Sequence, residues 1–143
     1  MSTGPSEHRR CDSLFIPTSI VGWLDDRVST LIESATNRFS FATDEPELPM
    51  QLLRYKRDDY IRPHVDSGSG ARCRKISFTV QLSRPDEYAG GDLRFIGNEA
   101  RIPFGRELGA ATIFPSFMLH EVSPVAQGER FALVFWVHGP AFR

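Results

Sequence analysis

The run Lys75-Ile76-Ser77-Phe78-Thr79-Val80-Gln81-Leu82 sets the architecture. Ile76, Phe78, Val80 and Leu82 alternate with Ser77, Thr79 and Gln81, so an extended strand here has one apolar face and one face of hydroxyls and an amide. Two arrangements suit that alternation. The apolar face can point inward with the polar face in solvent, or the apolar face can lie beneath a helix while the polar face lines a wet pocket. The second is preferred because a helix upstream needs a partner. Val21, Leu24, Val28, Leu31, Ile32 and Ala35 recur at steps of three and four, with Asp25, Asp26, Arg27, Glu33 and Asn37 on other faces. This spacing predicts an amphipathic helix over roughly Ser19 to Asn37, with Thr18 or Ser19 as N-cap.

From Met50 onward, short apolar or alternating runs recur between Gly, Pro, Asp and Asn. They are Gln51–Tyr55, Tyr60–Val65, Lys75–Leu82, Asp92–Ile96, Ala100–Phe104, Ala111–Phe114, Leu119–Val125 and Phe131–Val137. Eight such runs with frequent turn signals predict a β-sandwich, barrel or jelly roll. Leu14–Pro17 reads as a short extended entry. Phe131–Val137 is apolar on both faces and therefore central, and Arg130 opens it in register with Ala132, Val134 and Trp136.

At 143 residues the chain suits one domain with a substantial core. Residues 1–13 are expected to form a flexible tail and residues 14–143 the domain. Seventeen Lys plus Arg against 18 Asp plus Glu leave no basic excess to draw nucleic acid or an anionic membrane. No apolar run approaches the ~20 residues of a membrane helix, and Met1–Asp12 lacks the apolar stretch of a secretion signal. A cytoplasmic location is expected. Cys11 and Cys73 have no CxxC spacing and read as reduced thiols. Cys73, near Asp66, is either a metal ligand or a loop cysteine of no consequence.

The chemistry gathers at Tyr60-Ile61-Arg62-Pro63-His64-Val65-Asp66. Residues i and i+2 of a strand share a face, so His64 and Asp66 can close on one ion. With His120 they make two imidazoles and one carboxylate, the facial ligand set that holds non-haem Fe(II) and leaves positions for substrate and O2. A closed zinc site would need a fourth ligand, for which His138 is the available candidate. Arg130 beside a buried strand needs a carboxylate, either from a protein acid or from a dicarboxylate ligand gripped by two hydrogen bonds. The plainer alternative is an exposed arginine at a strand end.

These residues fall in an order that resembles the Fe(II)/2-oxoglutarate-dependent dioxygenases, in particular the prolyl 4-hydroxylase-like branch and its short PKHD-type hydroxylases. The resemblance runs through Arg54-Tyr55, Tyr60, His64-Val65-Asp66, Gly90-Gly91-Asp92-Leu93, Phe114-Pro115, His120-Glu121-Val122-Ser123-Pro124-Val125 and Gly128-Glu129-Arg130-Phe131-Ala132. It implies a mainly β fold, a double-stranded β-helix (jelly roll, cupin-like) with one or two N-terminal helices packed on the larger sheet.

The same resemblance implies His64, Asp66 and His120 as metal ligands and Arg130 as the grip on the distal carboxylate of 2-oxoglutarate. It implies Tyr55 and, more weakly, Gln81 as further cosubstrate contacts, and Tyr60 beside the metal or at the substrate mouth. The cofactors implied are Fe(II), 2-oxoglutarate and O2, with ascorbate as a supporting reductant. The reaction implied is oxidative decarboxylation to succinate and CO2, coupled to hydroxylation of an unactivated C–H. The substrate would be a prolyl or other amino-acid residue, or a small metabolite. Phe78, Phe95, Phe114, Phe117 and Trp136 would keep the site dry. Gly68–Arg74, with Arg72 and Arg74, and Ser83–Gly90 are candidate lid loops. Two rival readings are a cupin-type metal protein that does not use 2-oxoglutarate and a non-catalytic binding module on the same barrel.

Overall fold

In this computed structural model residues 7–17, 22–44, 50–97 and 104–142 are described. The longest strand, β11 (Arg130–Pro140), has β3 (Met50–Tyr55) on one side and β5 (Arg72–Gln81) on the other. Flanked on both edges, and apolar on both faces, it is the central strand that its composition predicts. With β2 (Asp12–Ile16) outside β3 and β8 (Ala111–Pro115) outside β5, a five-stranded antiparallel sheet runs β2-β3-β11-β5-β8.

A smaller antiparallel sheet has the order β1-β4-β9-β7, from β1 (Arg9–Arg10), β4 (Tyr60–His64), β9 (His120–Val122) and β7 (Leu93–Phe95). A two-stranded ribbon joins β6 (Tyr88–Gly90) to β10 (Val125–Gly128). Among the described residues the fold is therefore mainly β with one α-helix, α1 (Asp25–Phe39).

The alternation in β5 separates two cores. Ile76 and Phe78 join Met50, Leu133, Phe135 and Val137 beneath Val28, Ile32 and Ala35 of α1. The helix thus covers the apolar face of the larger sheet, and each fully buried aliphatic or aromatic side chain there contributes about 1.5–3 kcal/mol. On the other face Leu53, Tyr55 and Phe114 of the larger sheet pack against Leu93, Phe95 and Val122 of the smaller one. Ser77 and Thr79 point into that side, where they line a cavity.

Several expectations change. The helix runs Asp25–Phe39 after a 3-10 turn at Gly22–Leu24, and the expected N-caps Thr18 and Ser19 lie outside the described residues. It continues two residues past Asn37 because Phe39 still packs, stacked on Phe41 at 5.7 Å. Residues 9–10 and 12–13, expected in the tail, are paired in strands, and Cys11 between them is buried.

Leu119–Val125 is two strands rather than one. Ser123-Pro124 interrupts it, since proline has no N–H to donate to a ladder, and β9 and β10 serve different partners. The ribbon β6–β10 needs glycine. A Cβ on Gly128 would lie 2.1 Å from the Glu87 carbonyl oxygen, and one on Gly90 would lie 2.3 Å from that of Pro124. The lid expected at Gly68–Arg74 gives way at Arg72 to β5, and Cys73 is a buried strand residue. The expected strand Ala100–Phe104 lies outside the described residues except for Phe104, which is not in a strand. Among the described residues no helix is long and apolar enough to cross a membrane.

Candidate metal and cosubstrate site

Pro63 holds Arg62 extended, and β4 ends at His64, which is the direct antiparallel partner of His120 at the start of β9. The two rings stand 4.2 Å apart between centroids. Asp66 lies beyond the strand end, so its approach to His64 comes from a bend and not from strand alternation. The bend is held where the N–H groups of Asp66 and Ser67 both donate to the Ser116 carbonyl, at 2.8 and 3.0 Å. Oδ1 of Asp66 is then 3.2 Å from Nε2 of His64, and Oδ2 is 3.6 Å from Nε2 of His120. One ligand atom from each of the three residues lies within 4.8 Å of the others.

Both imidazoles are oriented by the same device. Nδ1–H of His64 donates to the Arg62 carbonyl at 2.9 Å, and Nδ1–H of His120 donates to the Met118 carbonyl at 2.8 Å. A carbonyl only accepts, so each neutral ring keeps its lone pair on Nε2, which faces Asp66. Two nitrogen lone pairs and a carboxylate cannot face one another without a proton or a cation between them. Among the described residues the cluster includes neither His138 nor Cys73. His138 is a strand residue, since β11 continues past Val137 to Pro140.

Three further side chains act on this cluster. Ser77 Oγ donates to Asp66 Oδ2 at 2.7 Å, Trp136 Nε1 donates to the same oxygen at 3.1 Å, and Ser77 shares a 2.8 Å hydrogen bond with Ser116. Burial alone would raise the Asp66 carboxyl. The contact with His64, the charge of His120 and the hydrogen bonds from Trp136 and Ser77 reverse that and hold it down at about 2. Burial lowers His120, and Asp66 does not make up the loss. Burial also works against charge on His64, but its hydrogen bonds to Asp66 and Arg62 outweigh it and the net direction is upward. The difference follows the contact with Asp66, which stands 3.2 Å from Nε2 of His64 and hydrogen-bonds it, but 3.6 Å from Nε2 of His120.

A cavity of about 470 Å³ opens from this cluster and reaches Arg130. Such a volume is ordinary for a small-molecule site. Arg130 and Trp136 stand on one face of β11, six residues apart, or roughly 20 Å along an extended strand. Arg130 is 1% exposed, and its Nε donates to Gln81 Oε1 at 3.1 Å. Its guanidinium lies over the rings of Tyr55 and Phe104, at 5.1 and 5.2 Å. Among the described residues Nη1 has no hydrogen-bond partner and no acid pairs with the group. A buried, unpaired guanidinium costs several kcal/mol, so this arrangement fits an anionic ligand entering the cavity. The alternative of an exposed strand-end arginine does not hold.

Tyr55 is buried on the cavity wall, and desolvation pushes its phenol upward against the pull of Arg130. Gln81 is buried behind Arg130 rather than solvent-facing, and its Nε2 has no partner. Tyr60 turns away, its hydroxyl 3.5 Å from the Glu7 carbonyl. Phe95 and Phe114 pack against the His120 ring, with centroids 6.2 and 4.8 Å away. Phe78 belongs to the helix-side core, and Phe117 is half exposed. Sequence reasoning missed Ser77, Ser116 and Trp136 as holders of Asp66. The available signal was the hydroxyl-bearing face of β5 and the register of Trp136 with Arg130.

Residues 50–138 match the sequence pattern of the 2OG-Fe(II) oxygenase superfamily. The chain belongs to this superfamily. Among curated proteins it is similar to PKHD-type hydroxylases of Maricaulis maris (35% identity, 68% of this chain and 45% of the relative), Paraburkholderia phymatum (35%, 80% and 53%) and Synechococcus elongatus (37%, 80% and 53%). The chain thus spans about half the length of these relatives. Its fold is shared with solved structures of low identity. One is a Pseudomonas putida prolyl-4-hydroxylase, with TM-score 0.75, 19% identity, 96% of this chain and 78% of that one covered. Another is the viral collagen prolyl hydroxylase of Paramecium bursaria Chlorella virus-1 in its 2OG complex, with TM-score 0.72, 18% identity, 92% and 80%. The superfamily uses Fe(II), 2-oxoglutarate and O2, and the His64, Asp66, His120 cluster has the donor set that such a metal takes.

Proposed function

We propose that this chain is a PKHD-type hydroxylase domain that holds Fe(II) on Nε2 of His64, a carboxylate oxygen of Asp66 and Nε2 of His120, and binds 2-oxoglutarate with Arg130. We also read residues 14–143 as one double-stranded β-helix domain acting on a peptidyl or small-molecule substrate inside the cell. The observation that carries the proposal is the pairing, across one cavity, of a cation-seeking cluster with a buried guanidinium that has no acid partner among the described residues.

When bound, Fe(II), 2-oxoglutarate and O2 supply the oxidising chemistry, in which the keto acid becomes succinate and CO2 and one oxygen atom enters a substrate C–H. The protein's own part is placement. The Arg62 and Met118 carbonyls fix both Nε2 atoms toward the ion site. Ser77 and Trp136 occupy Oδ2 of Asp66 with hydrogen bonds, which orients the carboxylate and keeps it charged. Gln81 and the faces of Tyr55 and Phe104 fix the Arg130 guanidinium, leaving Nη1 for a carboxylate. Phe95 and Phe114 exclude water from the His120 side.

The test is to supply Fe(II), ascorbate and 2-oxoglutarate with prolyl peptides and free amino acids, and to look for succinate. Succinate that requires both metal and Arg130 supports the proposal. No succinate with any substrate, from protein that binds metal, favours the non-catalytic module.

A further inference from the structure

Among the described residues four arginines line the cavity, Arg9, Arg62, Arg74 and Arg130, against one acid, Asp66. Arg74 is distinctive among them. Its neighbour Arg72 is bound to Asp44 at 2.8 Å. Arg74 instead sets its guanidinium over the Trp136 ring, 3.7 Å from the ring centroid, and makes no side-chain hydrogen bond or ion pair with a described residue. The same indole donates to Asp66, so Arg74 stands one tryptophan ring away from the proposed metal site. Burial penalises its charge, and Asp66 gives partial compensation.

Charge counting then sets the ligand. If the site is loaded as proposed above, the two charges of the cation and the one of Arg130 are matched by Asp66 and the two carboxylates of 2-oxoglutarate. The bound cation then offsets the negative charge of Asp66 as felt at Arg74. Arg74 then remains on the cavity wall as a half-buried guanidinium held over an aromatic face, with its N–H donors available to a carboxylate.

We infer that Arg74 is a substrate-binding residue that grips a carboxylate of the molecule to be hydroxylated, so the substrate is an acid and not a neutral chain segment. This rests on the oxygenase reading. The carboxylate could belong to a free amino acid or to an acidic side chain of a peptide, and the two sources are separable.

The experiment uses Trp23→Phe protein, in which Trp136 is the remaining tryptophan and its fluorescence reports on the Arg74 contact. Trp23 is 72% exposed, so the change is mild. The protein is loaded anaerobically with Mn(II) and 2-oxoglutarate, and uptake of both is measured first. It is then titrated with L-proline, L-leucine and L-lysine, each against its own amide, and with acetyl-Pro-Glu-amide against acetyl-Pro-Gln-amide.

The expected result is that acids bind at least about tenfold more tightly than their neutral partners in one arm, which names the source. Arg74→Gln brings that ratio to about one, while Arg74→Lys keeps part of it. Each neutral partner controls for lost packing. Absence of an acid preference in both arms, including absence of binding, overturns the inference, as does a preference that survives in Arg74→Gln. Failure to take up Mn(II) and 2-oxoglutarate would instead overturn the oxygenase reading, and this inference with it.

Discussion

Trp136 on β11 donates its indole N–H to Oδ2 of Asp66 at 3.1 Å, so the strand that carries Arg130 at one end also fixes the acid of the metal cluster near the other. The candidate metal and cosubstrate sites are therefore registered on one continuous element. Trp136→Phe keeps the ring and removes the donor. It should weaken Mn(II) or Co(II) binding by about 10- to 100-fold, the usual effect of losing a group that orients a metal ligand. Calorimetric titration of the metal checks this, and unchanged affinity would count against the role given to Trp136.

Gln81 and Arg130 form a buried pair in which Gln81 Nε2 and Arg130 Nη1 have no partner among the described residues. Gln81→Leu should raise the KM for 2-oxoglutarate moderately, because Arg130 loses the acceptor that aims it. Arg130→Ala should raise that KM by 100-fold or more, as expected when a desolvated ion pair with a ligand is lost. Succinate formation against 2-oxoglutarate concentration measures both. A cupin-type protein would be indifferent to Arg130→Ala.

Phe135 is fully buried and stacks on Phe78 with ring centroids 4.6 Å apart, under the helix. Phe135→Ala should cost about 3–5 kcal/mol of stability, and Phe135→Leu under about 1.5. Urea unfolding of metal-free protein distinguishes these values. A small cost for Phe135→Ala would mean that α1 does not seal this face.

Much of this packing is legible in the chain. The alternation of Ile76, Phe78 and Val80 with Ser77 and Thr79 separates the helix side from the cavity side, and the position of Arg130 before Phe131 gives its register. Local patterns carry that information. The N-terminal pairing was hidden because Arg9–Arg10 and Asp12 have no apolar alternation, and their strands are defined by partners about 40 to 50 positions away. The strand Tyr88–Gly90 is too short to have a period. The support of Asp66 by Ser77, Ser116 and Trp136 was illegible for the same reason, since hydrogen bonds spanning 11 to 70 positions leave no spacing signal.

The pH dependence has a definite sign. In metal-free protein the raised His64 value contributes stability that is fully present below the ordinary imidazole range and is lost as pH rises through the shifted value. The lowered Asp66 value contributes stability present above the ordinary carboxylate range and lost as pH falls through about 2. A metal competes with protons for the imidazoles, more strongly at His64, whose value is raised, than at His120, whose value is lowered, while Asp66 at about 2 offers no such competition in the neutral range. Mn(II) affinity should therefore fall as pH drops from 8 to 5.5, with protons released as the ion binds. Affinity that is flat over this range would mean that the imidazoles are not ligands.

The most direct test is anaerobic equilibrium binding of 2-oxoglutarate to wild-type and Arg130→Ala protein, with and without Fe(II). Tight binding only when both the metal and Arg130 are present is the predicted result. Binding that ignores the metal, or that survives loss of Arg130, would contradict the account.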